Sequence, residues 1–87
     1  MDKRKIGRFI AAHRKRLGMT QMQLARELGV SNKTISCWER GLHLPDYDQV
    51  LAASELFGVD AADFLTGNPD AVPAQPAEKQ YRNKTQS

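Results

Sequence analysis

Two short helix-forming stretches, QMQLAREL and NKTISCWER, are separated by only Gly29-Val30-Ser31, and no other feature constrains the fold as tightly. A break of this length cannot lay two helices antiparallel, so it makes them cross steeply. Gly29 suits the break because glycine closes a helix in the left-handed conformation without a steric penalty. Ser31 can open the next helix by accepting from one of its unpaired amides. A steep crossing also needs a small residue at the contact and apolar anchors around it. Ala25 is the small residue, and Leu24, Leu28, Val30, Ile35 and Trp38 are the anchors.

The same punctuation divides residues 1–67 into helices. Residues 3–16 carry Ile6, Phe9, Ile10 and His13 on one face, continued by Leu17, and Gly18 ends the segment. Thr20 and Gln23 form a capping box ahead of residues 21–28. Residues 32 to about 40 follow Ser31 and stop at Gly41. Asp46 and Gln49 repeat the capping logic for residues 47–57, closed by Gly58, and Asp60 opens a last helix over 61–66, closed by Gly67. In the fourth helix Tyr47, Val50, Leu51, Ser54 and Phe57 are expected to form the core stripe. Phe64 is expected in the core, and Leu56 and Leu65 near it, where part of the surface is open to a subunit contact. Strand signals are absent from the sequence, so the expected fold is all-α with five helices.

Eighty-seven residues suffice for one domain and no more. With 40% hydrophobic and 26% charged residues, the composition is that of a soluble globular protein. There is no apolar run suited to a membrane span or a signal peptide. Residues 1–67 are expected to form the domain. Residues 68–87 contain Pro69, Pro73 and Pro76, and only Val72 and Tyr81 as larger apolar residues, so they are expected to be a disordered tail or linker. The single cysteine, Cys37, excludes an internal disulfide framework and makes a cytoplasmic setting the natural default. His13 and His43 have no second ligand at metal spacing, so no metal or other cofactor is expected. Asp46 and Asp48 sit where helix capping accounts for them. There is no nucleophile–base pair and no phosphate-cradling glycine loop, so an enzyme is not expected.

Charge is divided unevenly. Residues 1–40 hold ten Lys/Arg and three acids, a balance of +7, whereas residues 41–67 hold five acids and no Lys/Arg, a balance of −5. One side of such a molecule suits an anionic partner. On the third helix, counting from Asn32 at 0°, Ile35 and Trp38 fall at about 300° and 240°, while Ser36, Arg40, Lys33 and Cys37 fall between about 40° and 140°. The free face is therefore short, polar and basic, as a helix lying in a DNA major groove requires.

The run TQMQLARELGVSNKTISCWERG, followed by LPDYDQVLAASELFGVDAADFL, resembles the Cro/phage-repressor family of helix-turn-helix domains, also called XRE-type or lambda-repressor-like. Leu24, Ala25, Leu28, Gly29, Val30, Ile35 and Trp38 carry the residue classes that family uses, and the resemblance covers about residues 5–67. It implies roles. Asn32, Lys33, Ser36 and Cys37 occupy the positions that reach base edges. Gln21, Thr34 and Arg40 look like phosphate contacts, and Gln21 also looks like a brace for the recognition helix. Arg14 and Glu39 match a partly buried ion pair between the first and third helices. Relatives often place Gln, Arg or Lys where this chain has Cys37. Readout there is expected to be weak or apolar, for instance against a thymine methyl. A redox role for Cys37 is the lesser reading beside that of a small residue tolerated at a contact. The loop Leu42-His43-Leu44 lacks the basic residues some relatives use on the DNA backbone.

The resulting expectation is a sequence-specific double-stranded DNA-binding transcriptional regulator, a repressor that occludes its promoter. It would bind a pseudo-palindromic operator as a homodimer. The competing readings are the antitoxin of a toxin–antitoxin pair, with the tail folding on a partner, and the DNA-binding part of a longer regulator.

Overall fold

In the computed structural model, which describes residues 1–71, five helices follow one another: α1 (Lys3–Arg16), α2 (Gln21–Leu28), α3 (Asn32–Glu39), α4 (Tyr47–Phe57) and α5 (Ala61–Thr66). Among the described residues there is no strand. Their ends are closed much as the sequence requires. Thr20 and Gln23 exchange side-chain and main-chain bonds of 3.0 and 2.8 Å ahead of α2. Asp46 and Gln49 do the same ahead of α4, at 2.8 and 2.7 Å. These bonds occupy amides that the first helical turn leaves without partners. Asp60 precedes α5, but its side chain makes no capping bond. Gly29 adopts φ +69° after α2, and its amide and that of Val30 return to the α2 carbonyls of Arg26 and Ala25. The next residue, Ser31, caps α3. The three-residue break is thus fully spent on ending one helix and starting the next.

α1 packs on α3 and α5, α2 on α3, and α4 on α5, with a smaller contact between α2 and α4. The core is built from Ile6, Phe9 and Ile10 of α1, Leu24 and Ala25 of α2, Ile35 and Trp38 of α3, Val50, Ala53 and Phe57 of α4, and Phe64 of α5. Leu24, Ile35 and Phe64 are fully enclosed. Buried His13 stands in the aromatic part of this core, 4.4 Å from Phe9 and 5.5 Å from Phe57 between ring centroids.

The core stripe of α4 differs from the sequence expectation. Val50, Ser54 and Phe57 are buried, but Tyr47 is 69% and Leu51 42% exposed, and Ala53 is buried instead. With Val50 at 0°, Phe57, Ala53 and Ser54 lie within about 60° of it, whereas Leu51 lies about 100° away. Tyr47, at about 60°, is the first residue of α4 and lies outside the packed part of the helix. An apolar residue at helical spacing does not enter the core where no neighbouring element covers it.

Local hydrogen bonds continue for four residues past Gly67. The Asn68 amide donates to the Asp63 carbonyl at 3.0 Å and its side chain to the Asp63 carboxylate at 3.2 Å. The Ala71 amide donates to the Asn68 carbonyl at 3.2 Å, and Ala71 packs against the core. The expectation for residues 72–87 lies outside the described residues.

Candidate nucleic-acid interface

α3 presents the face that the helical wheel leaves free. Ile35 and Trp38 are buried, Asn32, Lys33 and Arg40 are exposed, and Thr34, Ser36 and Cys37 are half-buried at the edge. Its start is fixed by Ser31, whose hydroxyl accepts from the Thr34 amide at 3.0 Å and lies 2.8 Å from the Thr34 hydroxyl. Arg40 is the residue after the helix, where its guanidinium leans back to the Ser36 carbonyl at 3.4 Å. The expected base-reading set Asn32, Lys33, Ser36 and Cys37 therefore shares one short helix. Cys37 is a free thiol, half-buried rather than projecting.

Lys33, Thr34 and Cys37 also border a cleft of about 450 Å³ between α3 and the start of α4, whose other side includes His43, Leu44 and Gln49. His43 and Gln49 had no place in the sequence reading of the site. Spacing along one helix cannot reveal which loop residues fold back beside it.

The far end of α3 is anchored by one carboxylate. Glu39 accepts from Arg14 Nε at 2.6 Å and Nη2 at 3.1 Å, and from Gln21 Nε2 at 3.0 Å. The third Arg14 donor used, Nη1, reaches the Met19 carbonyl at 2.8 Å. The Arg14 and Glu39 side chains are only 11% and 8% exposed. A planar guanidinium holding a carboxylate by two bonds fixes angle as well as distance. Hence α1, the α1–α2 loop and the first residue of α2 all converge on the end of α3. Arg14, Gln21 and Glu39 thus form one hydrogen-bonded network at the end of α3.

Two contacts escaped the sequence reading. Gly7 is buried where α1 meets the end of α3. A Cβ there would lie 2.8 Å from the Glu39 carbonyl oxygen and closer still to that of Trp38. Only glycine permits so close an approach of two backbones. Its signal was a glycine in the interior of an otherwise regular helix. The second contact is Arg16, which donates to the Phe57 carbonyl at 2.7 Å and to His13 Nδ1 at 3.2 Å, tying α1 to the end of α4. Burial, and then the nearby Arg16 charge, hold the His13 imidazole below its usual pKa of 6.5. Among the described residues, no cluster of His, Cys, Asp or Glu could hold a metal ion, and no helix is long and apolar enough to cross a membrane.

Known proteins resemble this chain in sequence and in fold. The chain is 36% identical over 74 residues to the HTH-type transcriptional regulator DicA of Escherichia coli, covering 85% of this chain and 55% of that protein. It is 31% identical over 80 residues to the HTH-type transcriptional regulator ImmR of Bacillus subtilis, covering 92% and 61%. It therefore spans a little over half the length of these two relatives. Among solved structures, the DNA-binding domain of the C2 repressor of Salmonella phage P22 superposes with a TM-score of 0.68 at 35% identity, covering 78% of this chain and 90% of that one. The regulator ClgR of Corynebacterium glutamicum superposes at 0.69 and 24% identity, covering 77% and 71%, a likeness of fold. The family model described as a helix-turn-helix domain matches residues 5–65. With this match laid over the turn at Gly29 and the free face of α3, the chain belongs to the helix-turn-helix domain family.

Proposed function

We propose that the chain is the DNA-binding unit of a transcriptional regulator and not an enzyme, with α3 lying in the major groove of double-stranded DNA. The observation that carries this reading is the anchored α3. Its polar, basic face is free while its two ends are held by Ser31 and by the Glu39 network. Asn32, Lys33, Ser36 and Cys37 read base edges, and Gln21, Thr34 and Arg40 contact phosphates and set the register. The P22 protein is named a repressor, which supports repression, here by occupying the promoter. A single module of this size offers a small interface, so it binds as a homodimer on a pseudo-palindrome with half-sites about one helical turn apart. Such a regulator works in the cytoplasm. The unit is residues 1–67 with residues 68–87 as its tail, and the reading holds whether it acts alone or joined to a further domain.

The test is selection of binding sites from a random duplex pool, followed by titration of the selected site at rising salt. Affinity is expected to fall steeply, with a log–log slope of about −0.9 for each phosphate neutralised. Failure to enrich any sequence, or a flat salt response, overturns the proposal.

A further inference from the structure

α1 and α4 each carry a face that neither the core nor the proposed DNA contact uses. On α1 it is formed by Arg8, Ala11, Ala12 and Lys15, and on α4 by Asp48, Leu51, Ala52 and Glu55. Both sets have the spacing i, i+3, i+4 and i+7, so each follows one stripe along its helix. In each, two small or apolar residues lie between two charges, and the charges of the two stripes are opposite in sign. At 100° per residue, each stripe is centred about 160° around its helix from the core residues. Seven of these residues are exposed and Ala11 is half-buried. Leu51 is among the large apolar side chains left uncovered. The remaining charges keep the same signs apart. Lys3, Arg4 and Lys5 are the other exposed cations of α1. Residues 2–16 contain one acid, Asp2, which sits off the helix end and accepts from the Arg4 and Lys5 amides. Asp46 caps α4, and residues 41–67 hold no Lys or Arg.

We propose that these two stripes bind one another between copies of this chain, α1 of one copy lying along α4 of the next. Both stripes point outward from one core, so they do not meet within a single copy. Arg8 and Lys15 are about 10.5 Å apart along α1, and Asp48 and Glu55 the same along α4, so two ion pairs form together. The helices run antiparallel, with Arg8 against Glu55 and Lys15 against Asp48. In this direction Lys3, Arg4 and Lys5 lie beside the C-terminal end of α4, where the helix dipole favours cations. The parallel direction would carry them to its N-terminal end, which repels them. Between the ion pairs, Leu51 meets Ala12 and Ala52 meets Ala11, and the small alanines let α1 come close enough to cover the leucine. Exposed ion pairs contribute little singly. Burial of Leu51 therefore supplies attraction, and the charges select the partner and the direction. The contact joins two different patches, so each copy keeps one stripe free for a further copy. It is distinct from the two-fold pairing proposed on an operator and does not rest on it.

Self-association of the full chain, without DNA, tests this by sedimentation and by amide NMR shifts at concentrations up to about 1 mM. Expected are concentration-dependent shifts on α1 and α4 that shrink as salt rises. R8E or E55K alone should weaken association about tenfold, since each sets like charges opposite one another. The double variant R8E/E55K exchanges the two facing charges and should restore it, as should K15E/D48K at the other pair. R8E/D48K has the same net charge as R8E/E55K but exchanges charges that do not face each other, and should not restore it. Circular dichroism checks that each variant is folded. A parent that stays monomeric over the whole range, or whose shifts fall on α3 instead, overturns the proposal. So does equal restoration by R8E/E55K and R8E/D48K, which would reduce the effect to net charge, or restoration by R8E/D48K alone, which would reverse the helix direction. None of these outcomes bears on DNA binding, which is read separately on selected operators.

Discussion

Replacing Gly7 by alanine sets two effects of similar size against each other, and the structure decides the sign. A glycine inside a helix is about 1 kcal/mol less favourable than alanine, so propensity alone makes Gly7→Ala stabilising. The new Cβ, however, would sit 2.8 Å from the Glu39 carbonyl oxygen and 3.1 Å from its carbon. Carbon contacts are comfortable at about 3.5–4.0 Å. The obstructing atoms are backbone, so no rotamer change relieves them, and α1 must move off the end of α3. Overpacking of this kind costs about 1–3 kcal/mol. With backbone on both sides the upper part of that range applies, leaving a net loss of about 1–2 kcal/mol after the propensity gain is subtracted. For a domain of this length each kcal/mol is worth about 4–8 °C, so the melting temperature should fall by about 5–15 °C. Thermal and urea unfolding followed by circular dichroism measure it. The displacement also pulls Glu39 from Arg14 and Gln21, so affinity for a selected operator should fall even where the variant is fully folded. A melting temperature equal to or above that of the parent would refute the close approach of α1 and α3 and the reasoning built on it.

Arg14→Ala leaves the Glu39 carboxylate buried without its main partner and should cost about 3 kcal/mol, read as a lower urea midpoint at unchanged slope; an unchanged midpoint would mean that the pair is solvated. Folding stability should be level above pH 6.5 and decline as pH falls below it toward the lowered native pKa of His13, because there the unfolded chain binds a proton that the folded imidazole, beside Arg16, refuses. His13→Gln should flatten that part of the profile, and an unaltered decline would assign it to other groups. On selected operators, Lys33→Ala and Ser36→Ala should relax base preference at particular positions, whereas Arg40→Ala should weaken all sequences alike; equal effects on every sequence from all three variants would count against the division between base and phosphate contacts.

The sequence was most legible where chemistry is local. Thr20-x-x-Gln23, Asp46-x-x-Gln49 and the glycines after each helix mark ends that the chain itself satisfies within a few residues, and the five helices fall where those signals stand. The free face of α3 was legible for a related reason, since Ile35 and Trp38 are its only large apolar residues. What escaped depends on separation. Tyr47 and Leu51 read as core because periodicity reports spacing and not whether a neighbour is present. The Arg16 bond to Phe57 joins residues 41 apart, and its acceptor is a main-chain carbonyl, which every residue possesses. The Arg14–Glu39 pair, 25 residues apart, came only from resemblance to a known family. Nothing in the charges of a chain with eleven other Lys, Arg, Asp or Glu residues in its first forty singles it out.

That distinction bears on where specificity resides. α3 has eight residues, and its buried contacts, Ile35 and Trp38, lie on one edge. The side chains proposed to read bases are mostly short: Asn32, Ser36 and Cys37 reach little beyond the helix surface. A hydrogen bond fails when the donor–acceptor distance grows from about 2.9 Å to 3.6 Å, so an angular error in α3 too small to unfold the domain would still abolish readout. The correction is supplied at the opposite end of the helix from Asn32. Glu39 receives three bonds, from two different helices, and Gly7 lets α1 come close enough to make them. On the proposed DNA-binding reading, Gly7, Arg14 and Glu39 are therefore expected to set sequence discrimination without facing DNA. Arg14→Lys is the discriminating variant, since it keeps the charge and loses the two-point grip. It should retain most of the stability that Arg14→Ala loses, yet narrow the affinity gap between the selected operator and random duplex. If the gap is untouched while the midpoint falls, the network serves stability alone and α3 is oriented by its core contacts.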